Sequence, residues 1–260
     1  MGNKLPVSVC LVASNEGHRI GRALDGVKDW AGEIVVLLNH DVQDDTETVA
    51  QNCGARTFRE PWKGFIGQKN SVLDKCTQPW VLNLDADEVV SDSLGREIHA
   101  LLQSGSPAHD AYEFPRCTRY CGRWIRHGDW YPDRVQRLWR RGQARWTGLE
   151  PHARLEVRGT LGRLKSDLLH YTNDSIAHHL SKIAPYHADF IQQQVARGRP
   201  VNGFELVVRP AWRFFRAYIL RCGFLDGWQG YYIARFNSFS TLTKYAMTLE
   251  ARARQKVSQP

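Results

Sequence analysis

The sequence predicts an α/β protein built on a doubly wound, mostly parallel sheet, followed by a helical C-terminal extension. Three observations predict it: short apolar runs at strand length in the front half, helix-patterned segments between them, and a change of composition after residue 115. Residues 7–13 (VSVCLVA), 34–38 (IVVLL) and 80–84 (WVLNL) are continuous apolar runs, the pattern of strands buried on both faces. After the first, Ser14 or Asn15 can cap a helix over 16–28 that brings Ile20, Ala23, Leu24 and Val27 to one face. Helical segments at 44–53 and 65–76 fill the later connections and complete a βαβαβ series. Ligands of such sheets bind beyond the carboxyl ends of the strands, so polar residues placed there are the first to consider.

After residue 115 the alternation stops. Residues 116–165 are rich in Arg, Trp and Gly, with strands expected near 134–139 and 153–158. A helix is expected over 174–196, and 210–254 mixes aromatics with arginine. Charge follows the same division. Residues 1–115 carry 10 basic and 17 acidic side chains, 116–165 carry 13 and 4, and 197–260 carry 11 and 3. An acidic front half followed by basic blocks implies that the rear half faces something anionic.

Composition also excludes classes. With 42% hydrophobic and 24% charged residues, the 260-residue chain has the make-up of a globular protein, not a disordered one. No uncharged apolar run reaches the 18 or more residues of a membrane span. The N-terminus reads as a first strand rather than a signal peptide. Six cysteines with only Cys117 and Cys121 close together suit free thiols better than zinc. No G-x-G-x-x-G follows the first strand and no Walker A sequence occurs, which argues against a dehydrogenase and a P-loop NTPase. Nucleic-acid binding would leave the acidic front half without a use and repelling phosphates. A nucleotidyltransferase would want a basic, Gly-rich loop where this chain has SNEGHRIG.

The third run ends in Asp85-Ala86-Asp87-Glu88. Carboxylates at i and i+2 at a strand end can hold one hard divalent cation, Mg²⁺ or Mn²⁺, together with phosphate oxygens. The plainer alternative is an acidic loop capping the helix at 91–103. The other strand ends offer Ser14-Asn15-Glu16 and Asn39-His40-Asp41, again polar and again where a nucleotide would lie.

The ordered blocks SVCLVASNEGHRIGRAL, EIVVLLN, GFIGQKN and WVLNLDADE resemble glycosyltransferase family 2. The later blocks GRWIRHGDWYPDRVQRLWRRGQARW, LLHY and GFLDGWQG resemble its lipopolysaccharide-core β-1,4-glucosyltransferase group. The resemblance runs from about residue 6 to 250. It implies a GT-A fold, with 1–115 as the nucleotide-sugar-binding half and 116–172 as the acceptor-binding half. Residues 173–260 would form a basic, aromatic, membrane-proximal region. It also implies a nucleotide-sugar donor, expected to be UDP-linked, a divalent metal, and transfer of a hexose, expected to be glucose, with inversion. The acceptor would be an anionic lipopolysaccharide-core or other lipid-linked glycan, and the enzyme would sit on the cytoplasmic face of the inner membrane.

Carried over by position, Ala13, Asn15 and Glu16 would line the nucleoside pocket. Gln68, Lys69 and Asn70 would reach the base or the diphosphate, and Asp85 and Asp87 would serve ribose, metal and diphosphate. Two stretches depart from the family. Where its pattern is Asp-Ser-Gly-Ser-Thr-Asp, this chain has Asn39-His40-Asp41-Val42-Gln43-Asp44-Asp45-Thr46, so Asn39 or Asp41 would read the base. Where the group has His-Glu, this chain has His152-Ala153. An inverting transferase needs a carboxylate to take the acceptor's proton. With Ala153 in place of the acid, Glu150 is the first choice, Asp133 the second and Asp129 the third. If none of them acts, the protein would bind donor without turning it over. His152 or His170 could complete a metal site. Arg134, Arg137 and Arg140 would hold an anionic acceptor or solvate a sheet edge. Trp212, Phe215, Tyr218 and Ile219, with Arg209, Arg213, Arg216 and Arg221 among them, suit an anionic bilayer surface.

Overall fold

A computed structural model describes residues 4–150, 152–173, 175–181, 191 and 201–257. The chain packs as two units, residues 1–116 with 133–171, and residues 117–132 with 172–260.

In the first unit the apolar runs are strands. They are β1 (Leu5–Ala13), β2 (Ala31–Asn39), the edge strand β3 (Arg56–Glu60) and β4 (Trp80–Asp85), paired in parallel in the order β3-β2-β1-β4. Three helices lie in the connections: α1 (Gly17–Asp25), α2 (Thr46–Asn52) and α3 (Gly64–Asp74). α1 and α2 are shorter than the expected segments by a few residues, and α3 begins one residue before its own and ends two residues before it. Ile20, Ala23 and Leu24 of α1 are fully buried, in the same core cluster as Val7, Val9 and Leu11 of β1, as the helical spacing requires. The start of α1 differs from expectation. Asn15 does not cap it; its Oδ1 accepts from the Gln43 and Asp44 amides, and Asp44 Oδ2 accepts from Gly17 N–H (3.0 Å). The orphan donor at the helix start is thus satisfied by a loop 27 residues away.

Beyond β4 the sheet turns mixed. β5 (Glu88–Val90) leads into α4 (Asp92–Gln103), capped by Ser91, whose Oγ accepts from Leu94 N–H. The acidic residues at 85–88 therefore do not serve as its cap. There follow β6 (Ala111–Tyr120), β7 (Arg123–Trp124), β8 (Asp133–Arg140), β9 (Ala144–Leu149), β10 (His152–Val157), β11 (Leu161–Arg163) and β12 (Leu168–Asn173). β8 lies antiparallel between β4 and β6. β9 and β10 form a separate hairpin with Glu150 in its turn. Along β8 the pairing passes from Leu138 opposite Tyr112 to Gln136 opposite Glu113, so Arg137 is the extra residue of a bulge. Bulges of this kind re-aim a side chain.

In the second unit, α5 (Ile176–Ser181) falls within the helix expected over 174–196; apart from residues 175 and 191, the rest of that span lies outside the described residues. Helix α6 (Arg209–Phe215) is flanked by π-wound turns at Phe204–Val208 and Arg216–Leu220, and α7 (Gly227–Val257) is a single 31-residue helix. Among the described residues no helix is long and apolar enough to cross a membrane.

Candidate active site

The carboxyl ends of β1, β2 and β4 and the first turns of α3 enclose a cavity of about 290 Å³. It is lined by Val12, Ala13, Ser14, Glu16, Asn39, Trp62, Phe65, Gln68, Lys69, Asp85, Ala86 and Asp87. Seven positions singled out from the sequence are thereby brought together: Ala13, Glu16, Asn39, Gln68, Lys69, Asp85 and Asp87. Three others are not in the lining. Asn15 shapes the 43–44 loop, and Asp41 is exposed. Asn70 ties α3 to β9, its amide donating to Trp146 O and its oxygen accepting from Trp146 N–H, both 2.9 Å.

Inside the cavity the polar groups are already ordered. Gln68 Nε2 donates to Asn39 Oδ1 (2.9 Å), which joins the end of β2 to α3. Lys69 Nζ donates to Asp85 Oδ1 (2.9 Å), and Arg137 donates to Asp85 Oδ2. Burial alone would raise the Asp85 carboxyl, but Arg137 and Lys69 outweigh it and hold the group well below the usual carboxylate range. Burial would raise the Asp87 carboxyl too, but His170 (Nε2 to Oδ2, 3.4 Å) and Arg19 (3.8 Å) together leave it lowered. Glu16 goes the other way: burial raises it, and Arg19 compensates only in part. The result is a strip of anions with cations at its edge, half-buried along the cavity wall.

Behind this strip lies a residue the sequence reading missed. Glu88 has no solvent exposure. Its Oε2 accepts from Asp85 N–H (3.0 Å), and its Oε1 accepts from Arg137 Nη2 (2.7 Å) and Arg116 Nη1 (3.1 Å). Arg116 continues to Asp133 (2.6 Å). Glu88 therefore fixes the backbone at Asp85 and aims the guanidinium that neutralises Asp85. The available signal was its place three residues after Asp85, in a run where a third carboxylate has no solvent reason to be. Trp62 and Phe65 were also missed. Both are about half exposed and meet edge to face at 5.0 Å on the cavity's rim. Exposed aromatics on either side of Lys63-Gly64 were the readable sign.

The carboxylates considered as bases are dispersed. Glu150, in the β9–β10 turn, accepts from Ile66 N–H with Oε1 (2.7 Å), next to Phe65 of the cavity lining. Gly64, at φ +81°, makes room for this: a Cβ there would lie 2.7 Å from Glu150 Oε1. Asp133 opens β8 and is paired with Arg116. Asp129 belongs to the second unit, where it is 3% exposed beneath Arg213, Arg216 and Arg221, an ion-pair anchor rather than an accessible base.

Arg137 is not on a solvated edge but buried between Asp85 and Glu88. The His152 side chain lies outside the described residues. Among the described residues no three His, Cys, Asp or Glu side chains converge as a metal cage. The donor set nonetheless fits Mg²⁺ or Mn²⁺. Such ions accept one or two carboxylates and take their remaining ligands from water and phosphate, and Asp85 and Asp87 both open onto the cavity.

A mixed sheet with a cavity at its strand ends, lined by Asp85 and Asp87, is an α/β architecture with its ligand site where such sheets place it. The comparisons identify the family. Residues 8–159 match the family model "Glycosyl transferase family 2", and the chain belongs to that family. It is a glycosyltransferase. Among its relatives is the lipopolysaccharide core biosynthesis glycosyltransferase LpsC of Rhizobium meliloti, 27% identical over 98% of this chain and 97% of that one. An uncharacterized glycosyltransferase of Rickettsia prowazekii is 27% identical over 92% of this chain and 85% of the relative. Among solved structures, Staphylococcus aureus TarS residues 1–349 in complex with UDP-GlcNAc has a TM-score of 0.50 and 13% identity, covering 96% of this chain and 92% of that one; the likeness is one of fold.

Proposed function

We propose that the protein is an inverting hexosyltransferase that moves a sugar, glucose by the group it resembles, from a UDP-linked donor to a hydroxyl of a lipopolysaccharide-core or related lipid-linked glycan. The observation that carries this is the cavity between Glu16, Asn39, Lys69, Asp85 and Asp87 in a family 2 chain. Relatives and neighbours support the finer terms: LpsC is named for lipopolysaccharide core biosynthesis, and the TarS structure holds UDP-GlcNAc.

In this reading Asn39, held from behind by the fully buried Gln68, meets the nucleoside, and Lys69 stands where the diphosphate leaves. Asp85 and Asp87 would hold a divalent cation, which would supply neutralisation of the charge growing on the departing diphosphate. Arg137 and Glu88 keep Asp85 aimed. Glu150, at the rim beside Phe65, takes the proton from the attacking hydroxyl; Asp133 is the alternative. Replacing Glu150 by Gln should lower turnover by about 10²–10⁴-fold, the usual worth of a general base, with UDP affinity and melting temperature held. Wild-type-like turnover would remove Glu150 and pass the role to Asp133, tested in the same way with Asp133→Asn.

The test of the reading as a whole is calorimetry on the full chain with UDP, GDP and CDP, each with and without Mn²⁺. Metal-dependent binding of UDP is expected, and absence of binding by all three with metal present would end the transferase assignment of this cavity.

The second unit is proposed to rest on an anionic membrane surface. Ile219, Leu220, Phe224, Leu225 and Trp228 are exposed within ten residues, and Trp212 and Phe215 are exposed on the preceding turns. Three arginines gather on the one carboxylate of Asp129, so the corner keeps a surplus of positive charge. Apolar side chains ringed by cations complement acidic headgroups over acyl chains. Sedimentation with phosphatidylglycerol-containing vesicles should show binding that falls at least tenfold in Leu220→Glu/Leu225→Glu. Equal sedimentation of both proteins would dismiss this surface.

A further inference from the structure

A second cavity in the first unit, of about 470 Å³, lies on the other side of Lys69. Its lining is Lys69, Arg134, Val135, Gln136, Arg137, Trp146, Ala153, Arg154 and Leu155, with Lys69 shared by both cavities. We infer that it is an acceptor subsite that selects a sugar carrying an anionic group, phosphate or carboxylate, and seats it beside the donor. The inference rests on the donor reading above and deepens it.

The charge pattern is the first support. Four cations line the cavity and no carboxylate does. Lys69 and Arg137 are already answered by Asp85 and Glu88. Arg134 and Arg154 are not. Arg134 has only Glu113 at 4.0 Å, and Glu113 is held more closely by Arg163 at 2.8 Å. Arg154 is exposed and has no ion-pair or hydrogen-bond partner among the described residues. Two forks with five donors each, facing one concavity, match a phosphate or carboxylate in bidentate geometry.

The wall is the second support. Trp146 is 8% exposed, and its Nε1 is buried without a hydrogen-bond partner. Its ring carries Lys69 Nζ at 4.3 Å from the centroid. The ring is thus a nearly buried wall, covered by Lys69 and with Arg137 at 5.9 Å from its centroid, and it holds these two cations at the cavity's edge. Ala153 is the third support. This is the position at which the resemblance leads one to expect an acid. A glutamate there would place negative charge in the cavity and repel the same ligand, whereas alanine leaves the forks unopposed.

The test uses saturation-transfer NMR on the full chain with saturating UDP and Mn²⁺, so that the donor cavity is filled. The probes are glucose 6-phosphate, glucuronate and glucose. At least one charged sugar should bind ten times more tightly than glucose, and which one does so separates phosphate from carboxylate recognition. Arg134→Ala/Arg154→Ala should lose at least tenfold in that binding, and Ala153→Glu should lose it as well, while calorimetric UDP affinity stays at the parent value in both. Equal binding of glucose and the charged sugars, or unchanged binding in both variants, overturns the subsite. Failure of UDP itself to bind overturns the donor reading instead, so the two failures are distinguishable.

Discussion

Replacing Arg137 by Met is expected to destabilise the protein by about 3–5 kcal/mol, the cost of leaving a buried carboxylate without its partner. The guanidinium is 5% exposed and bridges Asp85 to Glu88, which is fully buried. Its loss would leave Glu88 with Arg116 alone at 3.1 Å and would remove one of the two cations on Asp85. Against a total stability of about 5–15 kcal/mol for a domain, that is a large share. Urea unfolding measures it. Adding Glu88→Gln to the Arg137→Met background should recover part of the loss by neutralising the stranded charge. If the double variant is no more stable than the single one, packing rather than charge is what Arg137 contributes. Arg137→Lys should not restore the parent, because an ammonium cannot fork between two carboxylates as a guanidinium does.

Asp87→Ala should lower activity on the same scale as Glu150→Gln, and unlike it should also change metal-dependent binding. The Asp87 carboxylate opens onto the cavity at the strand ends, and His170 and Arg19 lower its pKa against the effect of burial. If it holds the divalent ion, removing it deletes several kcal/mol of transition-state charge stabilisation, or about 10³-fold in turnover. The Mn²⁺-dependent part of UDP binding should vanish with it, while urea stability changes little. Turnover within tenfold of the parent would show that Asp87 does not carry the metal and would leave Asp85 as the sole candidate. Asp85 is the poorer variant for the purpose, because it also anchors Lys69 and Arg137.

The parallel half of the sheet was legible because buried strands write themselves as unbroken apolar runs, as in VSVCLVA and IVVLL. β3 escaped notice because an edge strand is wet on one side: RTFRE alternates and contains three charges. β6 has Pro115 within it and two arginines along it, which reads as loop. In the site, residues just after strands were predictable from topology alone, and Ala13, Glu16, Asn39, Asp85 and Asp87 meet there. What topology could not tell was which polar residues would be turned to structural use. Asn15 and Asn70 hold backbone amides of other segments. Arg137 looked like one of several arginines on a basic strand, yet a shift in pairing places it alone in the interior. Such choices depend on partners 28 to 76 residues away, and no local pattern records them.

That shift has a bearing on how this chain can change over evolutionary time. A strand obeys a two-beat frame, in which each side chain's face is set by counting from any fixed neighbour. β8 breaks the beat once, at Arg137, between Leu138 opposite Tyr112 and Gln136 opposite Glu113. A one-residue deletion anywhere from Asp133 to Gln136 could restore an unbroken ladder and read as harmless to folding. It would also give Arg137 a place in the ladder, opposite Glu113, and so remove the bulge that turns its side chain to Asp85 and Glu88. Length, rather than residue identity, is thus the conserved quantity to expect in β8 among chains that keep this charge network: substitutions there should be tolerated more readily than single insertions or deletions.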